Sequence, residues 1–253
     1  MGEAIINRLL SKNLAKKEDI IVSDISQTRL RTLQSQYGVC TVSDNSQAVK
    51  ENDLILLAIK PQNLHSVAAT IGSLSPDQLV VSIMAGTNLS TLNNSLKHSR
   101  IIRAMPNMPA QIGEGAVVWT ATTEVNQEQK DKARTILKAL GEEIYTDNEK
   151  YIDMATALSG SGPAYVFLFI EALIDAGVQI GLPRDIAQKL SMQTIIGSAH
   201  TLQKTDKHPA ELRNMVTSPG GTTADALFQL EKGGFRSLLI EAVVAAFNKA
   251  QKL

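Results

Sequence analysis

The densest set of candidate ligand-binding groups lies in residues 217–223, Thr-Ser-Pro-Gly-Gly-Thr-Thr. Two adjacent glycines let backbone N–H groups converge, and the helical pattern that follows at Ala224 adds the positive end of a helix dipole. This combination binds a carboxylate or a phosphate, and the hydroxyls of Ser218, Thr222 and Thr223 can add donors. An ordinary capped helix start would need only one such hydroxyl. The segment therefore predicts an anion-binding site.

Two short segments that follow apolar strands are further candidates. Ala58-Ile59-Lys60-Pro61 follows the most apolar run of the chain, and Met84-Ala85-Gly86-Thr87 follows the next predicted strand. Ligands of open α/β sheets bind at the carboxyl ends of strands. Lys60 is then placed to meet a cofactor or an anionic substrate, and the small residues at 85 and 86 let a flat ring or a phosphate approach the backbone. A surface lysine and a tight turn are the ordinary alternatives.

Asp24 follows a predicted strand and lies 22 positions after Gly2. An acidic residue about 20 positions beyond a glycine-rich turn commonly binds the ribose diol of NAD. A simple turn aspartate is the alternative, because a helical pattern begins close behind it. Ser23, Ser26 and Arg29 could equally receive the extra phosphate of NADP. The sequence leaves the cofactor preference open.

The segment Leu158–Ala164 interrupts an apolar helical region with two glycines and a proline. Such residues cost a helix about 1 kcal/mol per glycine and about 3 kcal/mol for an interior proline. A break between two helices explains the glycines and the proline but not the paired Ser159 and Ser161. The segment therefore indicates either a packing constraint or a site.

Short β-rich runs alternate with helical patterns in the first half of the chain. The predicted strands are 20–23, 39–42, 53–59, 79–83, 101–105 and 116–120, and the predicted helices are 2–11, 27–37, 61–71, 89–96 and 126–140. This alternation predicts a parallel α/β sheet with helices on its faces.

The second half is predicted to be helical throughout. Apolar spacing indicates a helix through 165–176, which Gly181 closes, and further helices at 183–203, 209–216, 224–232 and 235–251. The polar stretch 146–150 separates the halves, so we expect domains at 1–148 and 149–253. Helices that are apolar on most sides must be buried. Interlocking with a second copy would bury them, and we expect a homo-oligomer.

Composition excludes several classes of protein. The chain has 253 residues, 43% of them hydrophobic, and 25 basic residues balance 25 acidic ones. A net charge of zero argues against a general nucleic-acid binder. Cys40 is the single cysteine, so no intrachain disulfide can form. The four histidines have no partner at metal-ligand spacing, so no metal is expected. No run approaches about 18 apolar residues and no signal peptide is evident, which predicts a cytoplasmic protein without a membrane partner.

These segments together resemble the pyrroline-5-carboxylate reductase family. The most specific stretch runs from Pro209-Ala210-Glu211-Leu212 through 216–223 to Leu230-Glu231, and segments 58–61, 103–109, 158–165 and 234–239 support it. The resemblance implies a Rossmann-like dinucleotide-binding domain at 1–148. An all-helical dimerisation and substrate-binding domain would follow at 149–253, in dimers that often assemble into decamers.

The resemblance also implies a reaction, the reduction of the C=N bond of 1-pyrroline-5-carboxylate to L-proline. NADPH or NADH would be the cofactor, in the last step of proline biosynthesis. The loop amides of Gly220, Gly221 and Thr222, with Ser218, would hold the substrate carboxylate. Thr223 would donate a hydrogen bond to the ring nitrogen or the carboxylate.

The cofactor residues implied by the resemblance lie in the first domain. Ala58, Ile59, Lys60, Ala85 and Gly86 would line the nicotinamide half. The other implied contacts are Gly2, Ser23, Asp24 and, on the adenosine side, Asn45.

The start of the chain departs from the family pattern, which begins with a strand and a Gly-x-Gly-x-x-Gly turn. Gly2 would be the third glycine, so we expect either a start further upstream or a truncated product. A catalytically silent oligomer unable to bind the dinucleotide is therefore one alternative. A hydroxy-acid dehydrogenase that uses Lys189 or His200 is another.

Overall fold

The computed structural model describes residues 1–50 and 52–252. The chain divides into two compact units. The first holds Met1–Ser161 together with the C-terminal residues from Ala246, and the second holds Gly162–Ala245. The expected domain boundary at 148/149 stays a prediction.

Seven strands of the first unit form two sheets. Their bounds are β1 Ile21–Ser23, β2 Cys40–Val42, β3 Leu54–Leu57, β4 Leu79–Ser82, β5 Ile101–Pro106, β6 Gly115–Ala121 and β7 Gly141–Tyr145. β1 and β2 pair in parallel, and the larger sheet has the order β3-β4-β5-β6-β7. The predicted parallel α/β architecture is confirmed.

The exception to the parallel pairing is β6, which runs antiparallel to β5. Only residues 107–114 connect the two strands, with a 3₁₀ turn at Met108–Ile112. A parallel connection needs a crossover of a dozen or more residues. The connection is therefore too short to carry β6 back to the starting edge of the sheet.

Seven helices belong to the first unit: α1 Gly2–Ser11, α2 Gln27–Tyr37, α3 Asn45–Lys50, α4 Leu64–Thr70, α5 Leu89–Leu96, α6 Gln127–Lys138 and α7 Lys150–Ala155. Side chains of Ser26, Asn88 and Asn126 cap α2, α5 and α6 by accepting backbone N–H bonds. The predicted helix 61–71 begins as a 3₁₀ turn at Pro61–Asn63. The short α3 was not predicted, because six residues are too few to show a helical period.

Helix α1 packs on both sheets. Ile6 clusters with Leu33 and Val39, with Leu10 and Val22 packed against them. Ile5 belongs to the core of the larger sheet, and Leu9 and Leu54 pack against that core. Within residues 1–50 and 52–252, β1 pairs only with β2 and β3 only with β4, so α1 joins the sheets by side-chain packing.

Five helices follow α7: α8 Gly162–Gln179, α9 Arg184–Thr205, α10 Pro209–Met215, α11 Thr222–Lys232 and α12 Phe235–Ala250. The turn between α8 and α9 contains Gly181 at φ +103°, as the predicted helix end requires. α8 and α9 pack closely, because a Cβ on Gly177 would lie 2.9 Å from Cβ of Ala187. The prediction of an all-helical second half is confirmed.

One helical stretch meets the length and composition of a membrane span, although it contains no unbroken run of about 18 apolar residues. The helical residues Lys150–Gln179 satisfy the length and composition of a span, with a mean hydropathy of 1.5, and 6% of that window is buried. α8 itself has no buried residue among those described. The sparse charges along this stretch, rather than an unbroken apolar run, account for the difference.

Candidate active site

The predicted anion-binding loop 217–223 is a turn that leads directly into α11. Gly221 N–H donates to the Ser218 carbonyl at 3.0 Å, and Gly220 has φ +67°. A Cβ on Gly221 would lie 2.4 Å from Oγ of Ser218. Both glycines are therefore required by this turn, one for its backbone conformation and the other for the close approach of Ser218.

Several hydrogen-bond donors of this loop have no acceptor among the described residues. No side chain caps α11 among the described residues, so the N–H groups of Thr222 and Thr223 have no helical or capping partner. The hydroxyls of Ser218, Thr222 and Thr223 likewise make no hydrogen bond within the part of the chain that the structure describes. Thr217, the fourth hydroxyl of the segment, donates to the Arg213 carbonyl. The described structure thus gathers three unbonded hydroxyls and a helix N-terminus in seven residues.

The far end of α11 is tied to α12 by an ion pair. Arg236 donates to both carboxylate oxygens of Glu231, at 2.8 and 3.1 Å. This hydrogen bonding lowers the pKa of Glu231 and raises that of Arg236. Both side chains are exposed, so the pair orients the helix end and adds little stability.

The predicted cofactor residues of the first unit lie where strands end. Ser23 and Asp24 close β1, Ala58, Ile59 and Lys60 follow β3, and Ala85 and Gly86 follow β4. β3 and β4 pair in parallel, so their ends share one edge of the larger sheet, whereas β1 ends in the smaller sheet. The carboxyl edge of an open α/β sheet is where ligands bind.

The start of α1 reaches this same edge. A Cβ on Gly2 would lie 3.2 Å from Cβ of Ala58, so the helix N-terminus sits against the end of β3. Helix N-termini of this kind bind phosphate groups. The residues present therefore fit a dinucleotide.

Asn45 at the start of α3 is joined to β1. Ser23 Oγ donates to Asn45 Oδ1, and Asn45 Nδ2 donates to Thr70 Oγ1, both at 2.8 Å. Asp24 Oδ1 accepts the Ser26 N–H at 2.8 Å. The structure thus brings Ser23, Asp24 and Asn45 together, which the sequence could only suggest.

The structure shows a buried charge cluster that sequence reasoning missed. Arg103 on β5 is 1% exposed and donates to Glu149 at 2.9 Å and to Asp153 at 2.6 Å. Glu149 also accepts the Leu89 N–H at the start of α5, at 2.7 Å. The cluster therefore fixes α5 and α7 to the centre of the sheet. A charged residue inside the otherwise apolar strand 101–105 was the available signal.

The unusual serines after α7 belong to a π-helical turn, Thr156–Gly160. Ser159 Oγ donates to the Ala155 carbonyl and Ser161 Oγ to the Thr156 carbonyl. Asn107 holds the turn by donating to the Ser159 carbonyl at 3.0 Å. The serines satisfy carbonyl groups of the widened turn, which supports the packing interpretation of this segment.

An α/β unit with a dinucleotide-type edge, followed by a helical unit that holds the predicted anion-binding loop, is the organisation of a two-domain oxidoreductase of the Rossmann type. Comparisons with known proteins agree for both halves. The family described as pyrroline-5-carboxylate reductase dimerisation matches residues 149–253. The family described as NADP oxidoreductase, coenzyme F420-dependent, matches residues 1–86.

Several relatives that align over the full length of the chain are pyrroline-5-carboxylate reductases. The chain is 44% identical to pyrroline-5-carboxylate reductase of Synechocystis over 100% of its own length and 94% of the relative's. It is 39% identical to the Escherichia coli enzyme, with the same coverage. The solved structure of the Plasmodium falciparum enzyme with NADP bound is 35% identical, with a TM-score of 0.91 over 100% of this chain and 94% of that one. The chain belongs to the pyrroline-5-carboxylate reductase family.

Proposed function

We propose that this protein reduces the C=N bond of 1-pyrroline-5-carboxylate to L-proline with NAD(P)H, the last step of proline biosynthesis. Full-length similarity to relatives of that name supports the reaction. The single structural observation that carries the proposal is the open set of donors in the 217–223 loop. Neither the silent-oligomer alternative nor the hydroxy-acid alternative has support from these relatives.

We infer that the loop binds the substrate carboxylate. The N–H groups of Gly220 and Thr222 and the hydroxyl of Ser218 can donate to its two oxygens, and the dipole of α11 adds to the attraction. Gly221 shapes the turn rather than donating, because its N–H is already bonded to Ser218. A carboxylate held at two oxygens fixes the position of the ring next to it.

Thr223 is the residue we assign to the imine. Its side chain is half-buried at the first turn of α11, and its hydroxyl has no partner within the described residues. A C=N bond must gain a proton on nitrogen before or during hydride transfer. A hydroxyl donor at the nitrogen, or one that orders a water there, would favour the iminium form.

The nicotinamide cofactor supplies the hydride when bound. In the first unit, Ala58, Ile59, Lys60, Ala85 and Gly86 would line its reactive half, and Gly2, Ser23, Asp24 and Asn45 would contact the remainder. We assign the dinucleotide-binding domain to residues 1–148 and the substrate-binding and dimerisation domain to residues 149–253.

Oxidation of NADH or NADPH with pyrroline-5-carboxylate, with proline identified as product, tests the reaction. Thr223→Ala should lower kcat/KM by about 30- to 800-fold, which corresponds to about 2–4 kcal/mol of transition-state stabilisation. Thr223→Ser keeps the hydroxyl and should retain most activity. Thr201→Ala is the matched control, because that hydroxyl bonds the Gly197 carbonyl within α9. Equal activity of Thr223→Ala and the control would remove Thr223 from the mechanism.

A second copy of the chain is the proposed cover for the apolar helices. Phe167 and Leu168 of α8 are 50% and 68% exposed, and Leu238 and Ile240 of α12 are 62% and 63% exposed. The family match to a dimerisation domain favours protein rather than lipid as the covering surface. We propose a cytoplasmic homodimer that can assemble further into a decamer.

Light scattering coupled to size exclusion tests the assembly. A dimer or a multiple of it at micromolar concentration supports the proposal. A monomer would refute it, and flotation with phospholipid vesicles would point to the membrane instead.

A further inference from the structure

The carboxylate of Asp24 is held in a defined orientation at the end of β1. Its Oδ1 accepts the Ser26 N–H at 2.8 Å in a tight turn. Its Oδ2 has no hydrogen-bond donor in residues 1–50 and 52–252. Asp24 is half-buried, whereas the neighbouring Ile25 is 93% exposed. An oriented acceptor therefore stands next to an exposed apolar surface at the cofactor edge.

Two of the three groups that could bind a phosphate at this position, Arg29 and Ser23, already donate to other residues. The guanidinium of Arg29 pairs with Glu3, which also accepts from Tyr37 at 3.1 Å. Ser23 Oγ donates its proton to Asn45. Residues 20–28 contain no lysine or arginine. The turn after β1 thus carries a negative charge without a free cation inside it.

We propose that Asp24 makes this enzyme select NADH over NADPH. A carboxylate accepts hydrogen bonds from both hydroxyls of the adenosine ribose, which NADH retains. A 2′-phosphate at the same place would meet a like charge with no compensating arginine, and such an unpaired charge disfavours the competing ligand. The inference rests on the proposed function of this edge as the dinucleotide site.

The preference is a property of this turn rather than of the family. A relative 35% identical to this chain is known with NADP bound. The sequence alone left Ser23, Ser26 and Arg29 available for the extra phosphate. The structure shows Ser23 bonded to Asn45 and Arg29 paired with Glu3. Ser26 Oγ accepts from Arg29 N–H as the cap of α2, which leaves only its neutral hydroxyl proton as a donor for a phosphate.

Cofactor binding to the full chain, without substrate, is the first test. Isothermal titration should give at least roughly tenfold tighter binding of NADH than of NADPH, and the same order for ADP-ribose and its 2′-phosphate. Asp24→Asn keeps the acceptor for Ser26 but removes the charge. This variant should lower the ratio of the NADPH to the NADH dissociation constant roughly tenfold, mainly by strengthening NADPH binding.

Asp53→Asn is the matched control, because it removes the same charge from an exposed residue that precedes β3 at the opposite edge. It should leave the ratio unchanged. Steady-state kcat/KM for both cofactors should show the same order as binding. If Asp24→Asn were poorly folded, the affinities of the unaltered protein for ADP-ribose and for its 2′-phosphate would still test the preference.

Tighter binding of NADPH by the unaltered chain, or the same ratio in Asp24→Asn as in the control, would overturn the proposal. Absence of binding by either cofactor would overturn it as well. Preferential binding of NADH without any turnover of pyrroline-5-carboxylate would support it while refuting the proposed reaction. The two failures are therefore distinguishable.

Discussion

The buried charge of Arg103 allows a sharp stability prediction. Its side chain is 2% exposed, whereas those of Glu149 and Asp153 are 33% and 28% exposed. The arginine thus depends on its two partners for compensation, while each carboxylate still has access to water. Its Nε has no hydrogen-bond partner in the described structure, which makes the two ion pairs more important still.

Neutralising both acids should therefore cost more than removing the arginine. Glu149→Gln combined with Asp153→Asn keeps the hydrogen-bond acceptors but leaves a buried cation without a counter-charge, at about 3–5 kcal/mol. Arg103→Met leaves two carboxylates that can hydrate, at about 1–3 kcal/mol. The triple variant, which combines Arg103→Met with both acid substitutions, has no buried charge to compensate. It should recover part of the free energy of unfolding that the double acid variant loses.

Urea unfolding followed by far-ultraviolet circular dichroism measures this order. All variants are compared at one protein concentration, because an oligomer's stability depends on it. Glu128→Gln is the control, because its pair with Lys132 is exposed and should contribute less than about 1 kcal/mol. The reasoning is wrong if the double variant is no less stable than Arg103→Met, or if the triple variant is no more stable than the double.

Two further predictions concern stability. Gly141→Ala should cost more than about 3 kcal/mol, because φ is +140° and the new Cβ would lie 2.0 Å from the Gly115 carbonyl oxygen. Gly38→Ala, also at positive φ but facing the flexible Lys17 side chain at 3.1 Å, should cost only about 1–2 kcal/mol, and equal melting temperatures would contradict this contrast. The Arg29 hydrogen bond lowers the pKa of Glu3 from 4.5, so its contribution is present above that pH and is lost as the pH falls through the lowered pKa. In Glu3→Gln the melting temperature should therefore fall less steeply as the pH drops below 4.5. The same pH dependence in the variant and the unaltered protein would refute this.

The strongest sequence signals were local. Two predicted helices, 89–96 and 126–140, begin within one residue of the predicted position, where Asn88 and Asn126 cap them, and Gly181 ends a helix as predicted. Each of these signals needs only a few neighbouring residues. The 217–223 loop was recognisable for the same reason, since two glycines, four hydroxyl residues and a helix start are adjacent in the chain.

Contacts between distant residues were not predictable in this way. The sequence shows Arg103 as a charge in an apolar strand, but its partners lie 46 and 50 positions away. The antiparallel direction of β6 also depends on pairing across the sheet. No local pattern contains either fact, because many partners are equally compatible with a single charged or apolar residue.

The sequence by itself determined the alternation of strands and helices, the all-helical second half and the family, and it predicted the anion-binding loop. These properties depend on residue type and short-range spacing, which the chain carries before it folds. The tertiary structure alone decided that two sheets lie under α1, that Arg103 is buried between two acids, and that Arg29 pairs with Glu3 beside Asp24. Those outcomes depend on which distant surfaces meet, and that is settled only when the whole chain packs.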